Sequence, residues 1–253
     1  MSRFVDLPHL PKRCRAVLYG KEYVKKLENP LENLRIQSVL VPNNPNIDPR
    51  LGGHTDLSVL HAGGERLLLA PFLKGSALES WLCDCGAEIW YPEIQQRPAY
   101  PEDAQLNLCQ IGEHLLFNGK TASSSIVDYL TKNRVLHSVS CHQGYTRCVS
   151  CIVDAHSLIT ADRGVAVQAS AAGLSVLLIS PGHILLDGFP YGFIGGSSFK
   201  IAENKMAFTG KLDAHPDCDR ILRFLAQQEV EAVYLTDEPI FDIGSAIPIL
   251  EEE

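Results

Sequence analysis

The sequence predicts an α/β fold in which five ββαβ modules close into a ring, a five-bladed α/β propeller. Three observations carry this expectation. A hairpin pattern recurs four times, with second strands starting at Arg66, His114, Ser157 and Lys205, spaced by 48, 43 and 48 residues. Each hairpin is followed by a helix-like stretch and then by a third short apolar strand. The two ends of the chain each supply part of a fifth module, and joining them leaves no terminal sheet edge unpaired. All of residues 1–253 are expected in one domain, a size that supports a substantial core.

The four hairpins are HTDLSVLHAGGERLLLAP from His54, DAQLNLCQIGEHLLFN from Asp103, TRCVSCIVDAHSLITAD from Thr146 and GGSSFKIAENKMAFTG from Gly195. Their turns carry Gly63-Gly64, Gly112, Asp154-Ala155 and Glu203-Asn204, residue types that tolerate turn dihedrals. The helix-like stretches run over 76–86, 121–133, 164–173 and 215–228, opening at small or polar residues and stopping at Gly or polar ones. Gly and Val dilute the propensity of the third. Near the N-terminus RAVLYG, the helix KEYVKKLEN and the strand LRIQSVLVP form a module without its first strand, which IGSAIPIL (243–250) supplies from the far end. A three-layer α/β domain with a mixed sheet also fits alternating strands and helices, but it does not predict complementary ends. On this reading the closing EEE is dispensable, and its removal is expected to be nearly neutral.

Composition narrows the function classes. Hydrophobic residues make up 45% and charged ones 21%, as in a soluble globular protein. The formal charge is −8, with no basic stripe, which argues against nucleic-acid binding. The longest apolar run, LSVLLIS (174–180), is too short to span a bilayer, and no targeting segment is visible. Reduced thiols and a cytoplasmic setting are expected for the eight cysteines. PGHILLDG and GFIGGS lack a full G-x-G-x-x-G, so no nucleotide cofactor is expected. No metal is expected either: Cys83/Cys85, Cys141-His142 and His215-x-x-Cys218 do not make a ligand set in sequence, although a site assembled from distant positions stays open.

In a closed ring the first strands surround a central channel, and their polar starts converge at one mouth. Those starts are His54 and Asp56, Asp103 and Asn107, Cys148 and Ser150, Ser197 and Ser198, and Asp242 with Ser245. If the stretch from Gly52 is a strand, His54 and Asp56 point the same way. Asp56 can fix a histidine tautomer or clamp a guanidinium. Cys148 is the thiol nucleophile expected, with a nearby histidine favouring its thiolate; as a β-strand cysteine it also reads as a small buried hydrophobe. Lys200 meets a substrate carboxylate or pairs with Glu203. The segment 180–196 interrupts the repeat. Either His183, Tyr191 and Phe193 cover the mouth, or HILL and YGFI pair as short strands.

The five split-closed modules and His54-Thr55-Asp56 resemble the pentein superfamily of guanidine-modifying enzymes. It includes arginine and agmatine deiminases, dimethylarginine hydrolases, amidinotransferases and a non-enzymatic ribosome anti-association factor. GYTRCVSCIVDAHSLITAD and GFIGGSSFK look like segments of a functionally uncharacterised bacterial branch. The resemblance implies a histidine acid/base at His54 and a guanidinium-gripping Asp56. It also implies a nucleophilic cysteine at the start of the module after His-x-Asp, where this chain reads PEDAQLN, and Ser245 stands where a cysteine could open the last strand. The functional expectation is a channel site for a small guanidino or amino compound, hydrolase-like, with Cys148 and His54 catalytic. Asp56, Asp103, Asn107, Ser198, Lys200, Asp242 and Ser245 are expected to bind substrate. The alternative is a non-catalytic protein that binds a partner through its outer surface.

Overall fold

A computed structural model describes residues 2–253. Blade 1 contains β1 (Ser2–Phe4), β2 (Cys14–Gly20), α1 (Val24–Asn33), β3 (Gln37–Val41) and the last strand, β16 (Ile247–Glu252). Blade 2 follows with β4 (Val59–Gly63), β5 (Arg66–Leu69), α2 (Ala77–Asp84) and β6 (Glu88–Trp90). Blade 3 has β7 (Cys109–Ile111), β8 (His114–Phe117), α3 (Ser124–Asn133) and β9 (His137–Ser140). Blade 4 has β10 (Ser150–Ile152), β11 (Ser157–Thr160), α4 (Arg163–Ala171) and β12 (Ser175–Leu178). Blade 5 has β13 (Ser198–Ala202), β14 (Lys205–Phe208), α5 (Cys218–Gln227) and β15 (Glu231–Tyr234). In blades 2–5 an antiparallel hairpin leads through the helix to a parallel third strand.

Local chemistry accounts for the unit. The β4–β5 turn puts Gly63 and Gly64 at φ of 95° and 60°, the left-handed region that glycine enters without a Cβ penalty. Ser76 and Asp162 cap α2 and α4 by accepting from the N–H of Glu79 and Val165. α4 forms despite its Gly and Val content because Val165, Ala166 and Ala169 are buried against the sheet, so packing overrides propensity.

Five apolar clusters, one at each junction between neighbouring blades, make the ring. Leu18 and Val41 of blade 1 pack on Leu67 and Leu82 of blade 2. Leu68 meets Leu115 and Ile126 of blade 3, and Leu116 meets Ile152 and Leu158 of blade 4. Ile159 meets Met206 and Phe208 of blade 5, and Ala207 and Phe199 return to Val17 and Leu31 of blade 1. Burial of each large aliphatic side chain contributes about 1.5–3 kcal/mol. The chain is therefore a five-bladed α/β propeller, closed where β16 pairs with β2.

Three details differ from the sequence expectation. The last strand starts at Ile247 rather than Ile243; Gly244 and Ser245 have φ near +65° and form a turn ahead of it. His54 and Asp56 likewise sit before their strand, Asp56 in a 3-10 turn over Thr55–Leu57, and β4 begins only at Val59. The closing acids are not a loose tail. β1 pairs with the outer side of β16, Ser2 opposite Glu252, making β16 an interior strand. Glu251 is 2% exposed, accepts from the Lys12 N–H (2.7 Å) and pairs with Arg3 (2.9 Å), while Glu252 meets Arg13 and Arg15.

The segment from Val5 to Lys12 lies across the hairpin-turn end of the channel. Val5 bonds to Ile249 and to Gly64, Asp6 accepts from Arg134, and Lys12 accepts from Glu203, so four of the five blades are tied to it. The segment thus forms a plug bonded to the hairpin turns at Gly64 and Glu203. No described helix is long and apolar enough to cross a membrane.

Candidate functional site

The turns ahead of the first strands bring side chains from four blades together. Asp56 is anchored by its own N–H, which donates to the Gly244 carbonyl (3.0 Å). Its Oδ2 accepts from Cys148 Sγ (3.0 Å) and Ser245 Oγ (2.8 Å). Asn107 clasps the group. Its Nδ2 donates to Cys148 Sγ (3.2 Å) and to the Asp56 carbonyl (3.3 Å), and its Oδ1 accepts from the N–H groups of Arg147 (2.8 Å) and Cys148 (3.3 Å). A donor atom each from His54, Asp56 and Cys148 lies within 4.8 Å of the other two. His54 Nε2 and Asp56 Oδ1 are buried and have no hydrogen-bond partner among the described residues. A Cβ on Gly244 would stand inside the His54 side chain, so only glycine allows this approach.

Electrostatics set the protonation of the group. Burial pushes the Asp56 carboxyl up, against the pull of His54, Cys148 and Arg147. Burial also pushes the Cys148 thiol far up, and the charges of Asp56 and Asp242 push it further. The resting sulfur is a thiol: it donates to Asp56 and accepts from Asn107. The expected thiolate is thus opposed by burial and by two carboxylates. Arg147, which the sequence reading did not select, is 3% exposed and donates to the carbonyls of Ser150 and Gly195.

Ser245 Oγ has two acceptors in reach, Asp56 Oδ2 and the Gly195 carbonyl (3.0 Å). Asp242 accepts from the N–H groups of Gly244 and Phe193, both at 2.8 Å, and packs against Gly192 and Gly196 where a Cβ would collide with it. Asp103 stands one layer back, accepting from the Tyr145 hydroxyl (2.6 Å), with its carboxyl raised by burial. Ser198 donates to the Ile194 carbonyl (2.7 Å). Lys200 points to the hairpin-turn end and donates to the backbone carbonyl of Glu203 (2.6 Å), and burial lowers its ammonium to about 8. The structure thus gathers His54, Asp56, Asn107, Cys148, Asp242 and Ser245, sets Asp103 behind Tyr145, and keeps Ser198 and Lys200 away from the cavity.

A cavity of about 250 Å³ opens above His54, Cys148 and Asp242. Its walls are Leu51, Leu57, Tyr145, Leu186 and Phe189, with Tyr191 and Phe193 from the 180–196 segment. Leu185 ties that segment to the core through a parallel bridge with Phe241, donating to the Ile240 carbonyl and accepting from the Asp242 N–H, while Gly192 donates to Ile184 within the segment, with no pair of strands. His183 stacks edge-on against His215 instead of covering the mouth. A broader groove of about 530 Å³ shares Leu186 and Asp242 with the cavity. Sequence reasoning missed Tyr145, Leu51 and Phe189. The one signal for Leu51 was the long irregular stretch VPNNPNIDPRLGG directly before His54.

The fold is similar to that of several solved structures. An amidinotransferase of the saxitoxin biosynthetic pathway from Microseira wollei matches at TM-score 0.58 and 10% identity, over 91% of each chain. The inosamine-phosphate amidinotransferase of Streptomyces griseus matches at 0.56 and 10%, over 98% of this chain and 97% of that one. The agmatine deiminase of C. jejuni matches at 0.53 and 9%, over 92% and 91%. At such identities the likeness is one of fold. No curated protein sequence matches the chain. The chain belongs to a family of unknown function, DUF6873, which it matches over residues 19–247.

Proposed function

We propose that the protein takes a small amino or guanidino compound head-first into this cavity and that Cys148 carries hydrolase-type chemistry on it. One observation supports the reading above others: Asp56 Oδ1 and His54 Nε2 are buried and unpartnered beside Cys148, under an aromatic-walled cavity that no described lysine or arginine lines. An unmet buried acceptor costs about 1–3 kcal/mol, which a ligand with several N–H donors recovers. The carboxylates of Asp56 and Asp242 balance a positive head, and the rings of Tyr145, Tyr191 and Phe193 suit a cation over their faces.

A bound cation also changes the thiol. Positive charge beside Cys148 favours the thiolate, and the proton passes from Sγ to Asp56 Oδ2, its existing hydrogen-bond acceptor. Sulfur forms a bond to the guanidinium carbon, the bond from that carbon to a terminal nitrogen breaks, and this nitrogen leaves as ammonia or amine with a proton from His54. Water then gives a proton back to His54 as its oxygen bonds to the same carbon, the S–C bond breaks, Asp56 returns its proton to sulfur, and the ureido product leaves, its excess proton passing to the released base or solvent.

Thermal shift with guanidino compounds and their neutral ureido counterparts tests binding, and amine release tests turnover. Guanidino compounds should stabilise the wild type and not Asp56→Ala, and Cys148→Ser should bind without releasing amine. If no cation gives a shift, the site reading fails. Binding without release in the wild type removes the hydrolase step and leaves a binding protein.

A further inference from the structure

We propose that His54, Asp56 and Cys148 also form a binding site for a soft divalent cation of the zinc class. The spacing of histidines and cysteines along the chain predicts no such set, because Asp56 and Cys148 lie 92 positions apart and meet only when blades 2 and 4 face each other across the channel. The three donors are nitrogen, carboxylate oxygen and sulfur, a mixture that zinc accepts and that magnesium or calcium, which prefer all-oxygen shells, does not. Bonds of about 2.0–2.3 Å in a tetrahedron put donor atoms roughly 3.3–3.8 Å apart. The three atoms already lie within 4.8 Å of one another, so side-chain shifts of about 1 Å close the set.

Two features beyond proximity point to a ligand here. His54 Nε2 and Asp56 Oδ1 are buried, at 3% and 2% residue exposure, and each has an unused lone pair or proton site. The supporting bonds match what metal ligands require: Asn107 donates to Sγ and Ser245 to the other carboxylate oxygen, holding both side chains in place. His54 and Cys148 both line the cavity, so a fourth position faces it. When the ion binds, an S–metal bond forms and the thiol proton leaves to solvent. No electrons are exchanged, and one thiolate and one carboxylate neutralise the dication. The site uses the atoms that an organic cation needs, so the two occupants exclude each other, but the metal proposal does not rest on the guanidino reading.

The test is titration of the chelator-stripped full chain with Zn²⁺ and with Co²⁺. We expect one ion per chain and, with Co²⁺, a thiolate charge-transfer band that one equivalent of Zn²⁺ abolishes. Cys148→Ser should lose that band. Asp56→Asn, which keeps the acceptor for Cys148 and Ser245, should bind at least tenfold more weakly at wild-type thermal stability. The double variant Cys83→Ser/Cys85→Ser should behave as wild type. Absence of stoichiometric binding, or a band that survives in Cys148→Ser or disappears with Cys83 and Cys85, overturns the proposal. Guanidino binding measured in chelator succeeds or fails separately.

Discussion

Asn107 makes four hydrogen bonds through one amide, and no other side chain of the site touches as many of its parts. Asn107→Ala strips the acceptor from two buried N–H groups and the donor from Cys148. At about 1–3 kcal/mol for each orphaned group, the loss should be several kcal/mol in chemical denaturation. Lys200 gives a prediction of opposite sign. Burial lowers its ammonium from 10.5 to about 8, so between those values the unfolded chain holds a proton that the folded chain has lost. Stability from this group therefore rises with pH across that window, and the cost of the buried charge is fully present below it. At roughly 1.4 kcal/mol per unit the cost is about 3 kcal/mol. Lys200→Met should be more stable than the wild type at neutral pH, and the gap should close as pH approaches 10; a gap independent of pH would contradict the buried ammonium. Which residues were polar at the strand starts could be read in the sequence. Which of them face one another could not, because His54, Asp56 and Cys148 precede their strands in turns whose direction period-two logic does not give.

The second strands were the most readable elements, and β5, β8, β11 and β14 begin at the expected residues. Each is an apolar run buried between two blade junctions, so composition alone marks it. The first strands read less well, since buried His61, Gln110 and Lys200 interrupt their apolar pattern. β1 was invisible: SRF is a short polar stretch whose extended form comes from pairing with β16 rather than from its own residues. Helix α4 lies between these cases, with poor propensity and a clear cap. Because Asp162 accepts from the Val165 N–H at 2.8 Å, Asp162→Ala should lower stability by about 1 kcal/mol; a change within experimental error would mean that packing alone fixes the helix start.

Closure is a property of the whole ring, and it rests on β16, among the described residues the one strand paired on both sides by segments from the other end of the chain. Removal of 247–253 takes out Ile247 and Ile249, both nearly fully buried, together with two ladders. At about 1.5–3 kcal/mol for each aliphatic side chain plus the exposed edges of β1 and β2, the loss approaches the 5–15 kcal/mol that holds an ordinary domain together. Removal of 251–253 alone is a finer test. It leaves the apolar strand but deletes the buried Glu251 carboxylate, so that the Arg3 guanidinium and the Lys12 N–H lose their partner, and it also frees Arg13 and Arg15. Hydrogen bonds to a buried charge are worth about 1.5–3 kcal/mol, so this truncation should lower stability by a few kcal/mol and loosen β1 with the plug behind it. Limited proteolysis should then cut between Val5 and Lys12, while the blades, held by their own junctions, stay protected. A truncation at 251 with wild-type stability and an uncut N-terminal segment would show that the plug is held by its contacts with Gly64, Arg134 and Glu203 and not by the closing strand.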